Sequence, residues 1–217
     1  MDIKFRSYEP VAFFYDWLSH AFSLGQIRQS KLSQIELLKS GNKVLYAGAG
    51  WGEDAIAAAK NGVNVTCIDM SKSMIERAEN NFKSNNCTAE FICKNVMNHK
   101  REGYYDVITA NYFLNIFTEK EMRIVFSHLI KLLKPGGKIL IADFAQCQGN
   151  IAYRLFQKHY YLSANIFYWM IGLAPLHPIY DYSAYFNDLG LKFVAKKHFR
   201  LLKKGPIAYE TTIGIKN

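Results

Sequence analysis

Glycines at positions 48, 50 and 52 follow a short apolar run, Val44-Leu45-Tyr46-Ala47, and precede a helix-compatible Glu53-Asp54-Ala55-Ile56-Ala57-Ala58-Ala59. This reads as a strand, a tight turn and a helix. Glycines there permit positive backbone angles and bring bare peptide against a ligand, beside the unpartnered N–H groups of a helix N-terminus. A nucleotide-like ligand suits such a turn. A dinucleotide site would need Gly-x-Gly-x-x-Gly, but here the third glycine comes one residue early and Glu53 stands in its place, adding negative charge beside any pyrophosphate. A second apolar run, Val63-Asn64-Val65-Thr66-Cys67-Ile68, ends in Asp69, about 20 residues after the glycines, where a carboxylate accepts from both hydroxyls of a ribose. A ribose without a phosphate chain fits better than NAD. The plainer reading of Asp69 is an acid beside the N-cap of a helix starting near Ser71.

The elements that must hold these residues alternate. Strands are expected near 43–47, 64–69, 89–93, 104–110 and 137–143, with helices near 53–61, 72–84 and 119–134, the last stopped by Pro135-Gly136-Gly137. That alternation predicts an α/β fold with a mostly parallel sheet and helices on both faces. A further helix over 183–189 and two strands over 191–200 and 207–215 are expected to close the sheet. Residues 8 to 38 carry Phe13, Phe14, Trp17, Leu18 and Phe22, then Ile27, Leu32, Ile35 and Leu38, at helical spacing, and read as a helical cap. Residues 151–176 are inserted after the fifth strand. Their apolar part falls short of the roughly 20 residues a spanning helix needs and is interrupted by Ser163 and Asn165, so a lid is expected. One domain follows: 1–40 cap, 41–144 cofactor-binding core, 145–182 lid and 183–217 C-terminal helix and hairpin.

Four stretches in order resemble the motifs of class I S-adenosylmethionine-dependent methyltransferases. They are Val44 to Gly52, Cys67-Ile68-Asp69-Met70-Ser71-Lys72-Ser73-Met74, Tyr105-Asp106-Val107-Ile108-Thr109-Ala110-Asn111, and Leu133-Lys134-Pro135-Gly136-Gly137-Lys138-Ile139-Leu140-Ile141. The opening Tyr8-Glu9-Pro10-Val11-Ala12-Phe13-Phe14-Tyr15-Asp16 resembles the branch that methylates ubiquinone and menaquinone precursors, with some likeness to bacterial phospholipid N-methyltransferases. The resemblance implies a Rossmann-like, seven-stranded fold, S-adenosyl-L-methionine as cofactor and no metal. It implies that Tyr46, Ala47, Gly48 and Gly50 pass the methionine part, Asp69 holds the ribose, and Met70 packs on adenine. Asn95 and Val96 would meet the adenine and Ala110, Asn111 and Tyr112 the methionyl side, while Asn95 reads equally as a plain turn residue. Tyr15 would close over the methionine carboxylate, or simply pack in the cap. Tyr46 departs from the family, which usually has an acid there to anchor the cofactor's amino group. Glu53, Asp54 or Asp16 could compensate; failing that, cofactor affinity is reduced or the cofactor is used unusually.

Methyl transfer from a sulfonium is an in-line displacement, so the protein mostly positions its reactants and excludes water, with a base where the acceptor must lose a proton. Candidate catalytic residues are His177 just after the lid, Asp143 at the fifth strand's end, and Asn115, which stands where relatives often have histidine and either orients the acceptor or merely caps a turn. A lone histidine is more often a packed or surface residue. Tyr153, Phe156, Tyr160, Tyr161, Phe167, Tyr168 and Trp169 in one inserted element, flanked by Arg154 and Lys158, favour a lipophilic small-molecule acceptor such as a quinone precursor, methylated at carbon or oxygen. The rivals are phospholipid headgroup N-methylation and binding of the cofactor without methyl transfer.

Composition bounds these readings. A chain of 217 residues that is 50% hydrophobic can bury one full α/β core. Cys67, Cys87, Cys93 and Cys147 form no Cys-x-x-Cys pair, so neither a zinc site nor a disulfide framework is expected. The N-terminus shows no secretory signal, which points to the cytoplasm. The net charge of +9 is uneven: residues 145–217 hold nine Lys/Arg against three Asp/Glu. The run Lys192 to Lys204 reads first as a solvated edge and next as contact with an anionic membrane surface. RNA comes last, for want of any recognition module.

Overall fold

The computed structural model describes residues 22–172 and 174–217. Tyr15 and Asp16, and the cap before Phe22, lie outside the described residues. Seven strands form one sheet in the order β3-β2-β1-β4-β5-β7-β6. They are β1 (Lys43–Ala47), β2 (Asn64–Asp69), β3 (Glu90–Cys93), β4 (Tyr105–Thr109), β5 (Leu133–Phe144), β6 (Leu191–Arg200) and β7 (Ile207–Lys216). The first five run parallel, and β7 is antiparallel to both β5 and β6. The helices are α1 (Gln26–Leu32), α2 (Glu53–Lys60), α3 (Lys72–Ser84), α4 (Glu119–Leu132) and α5 (Ile151–Met170).

Strand periodicity sorts the core. On β1, Val44 and Tyr46 face one cluster with Ala55, Ala58 and Phe82 of α2 and α3, while Leu45 and Ala47 face another with Met122, Val125 and Phe126 of α4. The strand order reverses direction between β1 and β4, which opens a crevice at their carboxyl ends. The turn Gly48 to Gly52, Asp69 and Asn111 lie at these strand ends. The cap's described helix, α1, crosses the same end of the sheet against β5, β6 and β7.

Two expectations are corrected. Residues 183–189 form no α-helix but two short 3-10 turns, Tyr182–Tyr185 and Asn187–Leu189. The tighter winding buries both Tyr182 and Phe186; the Phe186 ring sits where a Cβ on Gly214 would be 2.6 Å away. The Asp181 carboxylate accepts from Ser183 N–H and starts the turn. Strand β5 begins at Leu133, four residues before Gly137, because wholly buried Leu133 pairs with Tyr105 ahead of a bulge. The Pro-Gly-Gly signal thus lies inside the strand, and α4 ends at Leu132 without an intervening loop. The inserted segment is a 20-residue helix, α5, that buries Gln157, Tyr161 and Ala164. Among the described residues, no helix is long and apolar enough to cross a membrane.

Candidate active site

The turn after β1 is pinned to the next strand, since Gly48 and Ala49 both donate N–H to the Ile68 carbonyl at 2.9 and 3.2 Å. Gly48 and Gly50 have φ of +68° and +53°, but different neighbours require them. A Cβ on Gly48 would lie 2.4 Å from the Phe113 ring, so that glycine makes room for a side chain. A Cβ on Gly50 would meet nothing within 4 Å. Gly50 therefore presents bare backbone to open space, as a ligand cradle requires. Its N–H donates to Asp69 Oδ2 at 3.1 Å, and Asp69 Oδ1 accepts from Ser71 N–H at 2.9 Å. Ser71, not Asp69, caps α3, through its hydroxyl on Met74 N–H. Asp69 is half-buried at the strand end, and a carboxylate has about four lone-pair sites for such donors. Such a carboxylate has the chemistry to accept from ribose hydroxyls, with the bare backbone of Gly50 beside it.

Tyr46 is 3% exposed. Burial first, and the Asp54 charge second, hold its phenol well above its ordinary pKa, so it is neutral. Its hydroxyl donates to the Asp54 carbonyl at 3.4 Å. The Asp54 carboxylate, 5% exposed, comes from the second residue of α2 and lines a small cavity with Lys31, Tyr46, Ala47, Gly48, Ala49, Thr109 and Asn111. Glu53 instead turns outward to Arg28 at 2.5 Å. Among the described residues, Asp54 is the stand-in acid set beside Tyr46. Asn111 fixes it: the Asn111 amide donates to Asp54 Oδ2 at 2.9 Å, exchanges two hydrogen bonds with Gln34 at 2.8 and 3.1 Å, and accepts from Ala142 N–H at 3.0 Å.

The remaining residues of this group are placed differently. Met70 is half-buried beside Asp69. Asn95 spends its carbonyl on Met97 N–H, capping a short 3-10 turn. Val96 is 4% exposed and Ala110 not at all, so both side chains face the core.

A second, narrow cavity is lined by Ile27, Tyr112, Asn115, Ile116, Phe144, Asn165, Tyr168, Ala174 and His177. Tyr112 holds φ +51°, a rare value for a non-glycine residue and a form of strain that clusters at functional sites. Its hydroxyl is 2.9 Å from Ser30 Oγ. His177 Nδ1–H donates to the Pro178 carbonyl at 2.7 Å and its ring stacks on Tyr180. Burial draws its pKa below the ordinary histidine value, against the carbonyls of Pro178 and Asn115. Asp143 lies behind the cavity wall, 3% exposed, accepting from Tyr182 Oη at 2.6 Å, Asn115 Nδ2 at 2.8 Å and Phe144 N–H at 2.7 Å. It reaches the cavity through Asn115. Lys31, Gln34, Asn165 and Tyr168 were not singled out as site residues by the sequence, because helical spacing alone does not say which side of a helix meets a cavity.

Burial lifts Asp143 to about 7, against the hydrogen bonds from Tyr182, Phe144 N–H and Asn115 and aided by the Glu210 charge. The folded protein thus holds a proton that the unfolded chain, with an ordinary value of 3.8, has lost. This contribution to stability is full below the unfolded value and is lost as pH rises through the folded one. Asp143→Asn keeps the same partners, with its amide donating to Tyr182 Oη. The variant should gain stability relative to wild type on going from pH 4 to pH 8, by at most roughly 4 kcal/mol. Urea unfolding of both proteins at several pH values measures it, and parallel pH curves would contradict the buried protonated acid.

Residues 44–137 match the family model described as a methyltransferase domain. The chain is 35% identical over 111 residues to phosphoethanolamine N-methyltransferase 1 of Arabidopsis thaliana, covering 50% of this chain and 22% of that one. It is 28% identical over 141 residues to demethylmenaquinone methyltransferase of Paenarthrobacter aurescens, covering 64% and 53%. The chain spans between 22% and 56% of the length of the first curated relatives it matches. Among solved structures, magnesium protoporphyrin IX methyltransferase from Synechocystis PCC 6803 with bound SAH superposes with a TM-score of 0.66 at 19% identity, over 89% of this chain and 84% of that one. The fold is that of the class I S-adenosylmethionine-dependent methyltransferases, and the domain match lies within its cofactor-binding half.

Proposed function

We propose that this chain transfers a methyl group from S-adenosylmethionine to a lipophilic small molecule, such as a quinone precursor, at carbon or oxygen. The observation that carries the reading is that consecutive residues, Asn111 and Tyr112, line the two cavities, one polar with a buried acid and one aromatic with a neutral histidine. The cofactor, when bound, supplies an electrophilic methyl on a sulfonium. Gly50 and Asp69 would hold its ribose, Met70 would cover the adenine, and Asp54 would take the amino group that the family's strand-end acid usually takes. His177, held neutral by burial on the wall of the aromatic cavity, is the candidate base for a hydroxyl or ring carbon. Asn115, oriented by Asp143, would position the acceptor, and Asp143 acts as a positioning residue. The aromatic walls and α5 exclude water.

The rival is phospholipid headgroup N-methylation, and the plant relatives named for N-methylation of phosphoethanolamine favour an amine acceptor. The ring acceptor is favoured because the aromatic cavity carries a histidine held neutral by burial, which an acceptor that must lose a proton needs. The deciding experiment supplies trideuteromethyl-labelled S-adenosylmethionine with a cell lipid extract. Label in an isoprenoid ring compound is expected; label only in amine headgroups favours the rival, and none favours binding without transfer.

Gly50→Val should lower affinity for S-adenosylhomocysteine at least about hundredfold, because the new side chain fills the open space over the turn. The fold should survive, with positive φ costing about 1–3 kcal/mol. Titration calorimetry and thermal melting check both halves. A folded variant that binds normally would remove the ligand from this turn.

A further inference from the structure

We propose that the exposed face of α5 and the tip of the β6–β7 hairpin form one surface that seats the protein on an anionic bilayer. This rests on the lipophilic acceptor proposed above and names the surface through which the protein would meet it. Ile151, Leu155, Leu162, Ile166 and Trp169 recur at spacings that put them on one side of α5, and they are 79%, 52%, 52%, 40% and 54% exposed. The opposite side, at Gln157, Tyr161 and Ala164, is buried against the sheet. A soluble helix seldom leaves such a row in water without a partner.

The hairpin tip extends this row. Tyr153 Oη donates to the Lys204 carbonyl at 2.7 Å, tying the start of α5 to the tip, where Leu202 is 61% exposed beside exposed Lys203 and Lys204. Arg154 and Lys158 of α5 are also exposed, and the sequence has no Asp or Glu between 145 and 180 or between 189 and 209. Among the described residues this apolar stripe is edged by cations, which makes it complementary to anionic headgroups over acyl chains. A second copy fits poorly, because pairing through a twofold axis would bring these cations against one another. The helix would lie in the interface plane. Its inner side already supplies Asn165 and Tyr168 to the His177 cavity, so an acceptor leaving the bilayer would meet the cavity wall on the same helix.

The test is co-sedimentation with phosphatidylcholine vesicles, with and without phosphatidylglycerol, beside S-adenosylhomocysteine titration and sedimentation equilibrium. Wild type should pellet with the anionic vesicles, and high salt should release it. Lys203→Glu/Lys204→Glu and, separately, Leu155→Ser/Trp169→Ser/Leu202→Ser should each lower vesicle affinity at least about tenfold with cofactor affinity unchanged. Wild type remaining in the supernatant, variants that pellet equally, or a dimer in solution lost with the apolar substitutions would each overturn the proposal. Methyl transfer to a detergent-solubilised acceptor is measured in parallel. Its absence alongside intact vesicle binding would reject the acceptor reading and leave this surface standing.

Discussion

Asp69→Ala is expected to lower affinity for S-adenosylhomocysteine at least about hundredfold, because two ribose hydroxyls lose a charged acceptor worth about 1.5–3 kcal/mol each. The same substitution strips the acceptor from Gly50 N–H and Ser71 N–H, so the turn loosens as well. Asp69→Asn separates the two effects, since its one oxygen can keep one backbone partner while the charge is gone. Adenosine binding should fall in parallel in both variants, as it carries the same ribose. Unchanged affinity by titration calorimetry in a folded Asp69→Ala protein would move the cofactor away from β2.

Asp54→Asn should act on a different part of the ligand. If the buried Asp54 carboxylate receives the amino group, its loss should weaken S-adenosylhomocysteine by about 1.5–3 kcal/mol, or roughly ten- to hundredfold. 5′-Methylthioadenosine, which has no amino acid portion, should bind the variant as it binds wild type. Asn111 can still donate to the new side chain's oxygen, so the bracket to Gln34 is preserved. Lys31, half-buried on the rim of the same cavity, is placed for the carboxylate end of the zwitterion, and Lys31→Met should discriminate between the two ligands in the same direction. Equal losses for both ligands would assign Asp54 a purely structural role.

What was legible in the sequence is local. The turn Gly48 to Gly52 and the strand-end Asp69 are written in contiguous residues whose backbone needs only a few neighbours to define, and strands β1 and β2 and helix α3 fall at their expected bounds. The second half of the site is not local. Glu53 and Asp54 are adjacent in sequence, yet one helical step of about 100° sends the first to solvent and the second into the crevice. Asn111 meets Gln34 across 77 positions and Tyr182 meets Asp143 across 39. No spacing rule announces such pairs. Over 183–189 the sequence suggests a helix where the protein forms 3-10 turns, because propensity gives way to tertiary packing: Tyr182 and Phe186 enter the core before the chain turns into β6. The aromatic character of α5 was plain in the sequence, but its division into a buried side and an exposed apolar side required the sheet against which it packs.

The most direct test of the central account is a crystal structure of the protein grown with S-adenosylhomocysteine. The account predicts density at the carboxyl ends of β1, β2 and β4, with both ribose hydroxyls on Asp69, the backbone of Gly50 against the ligand, the amino group on Asp54 and the sulfur directed toward the cavity of His177. A fully occupied ligand lying elsewhere, or one in this crevice whose amino group avoids Asp54 and whose sulfur points away from His177, would contradict it.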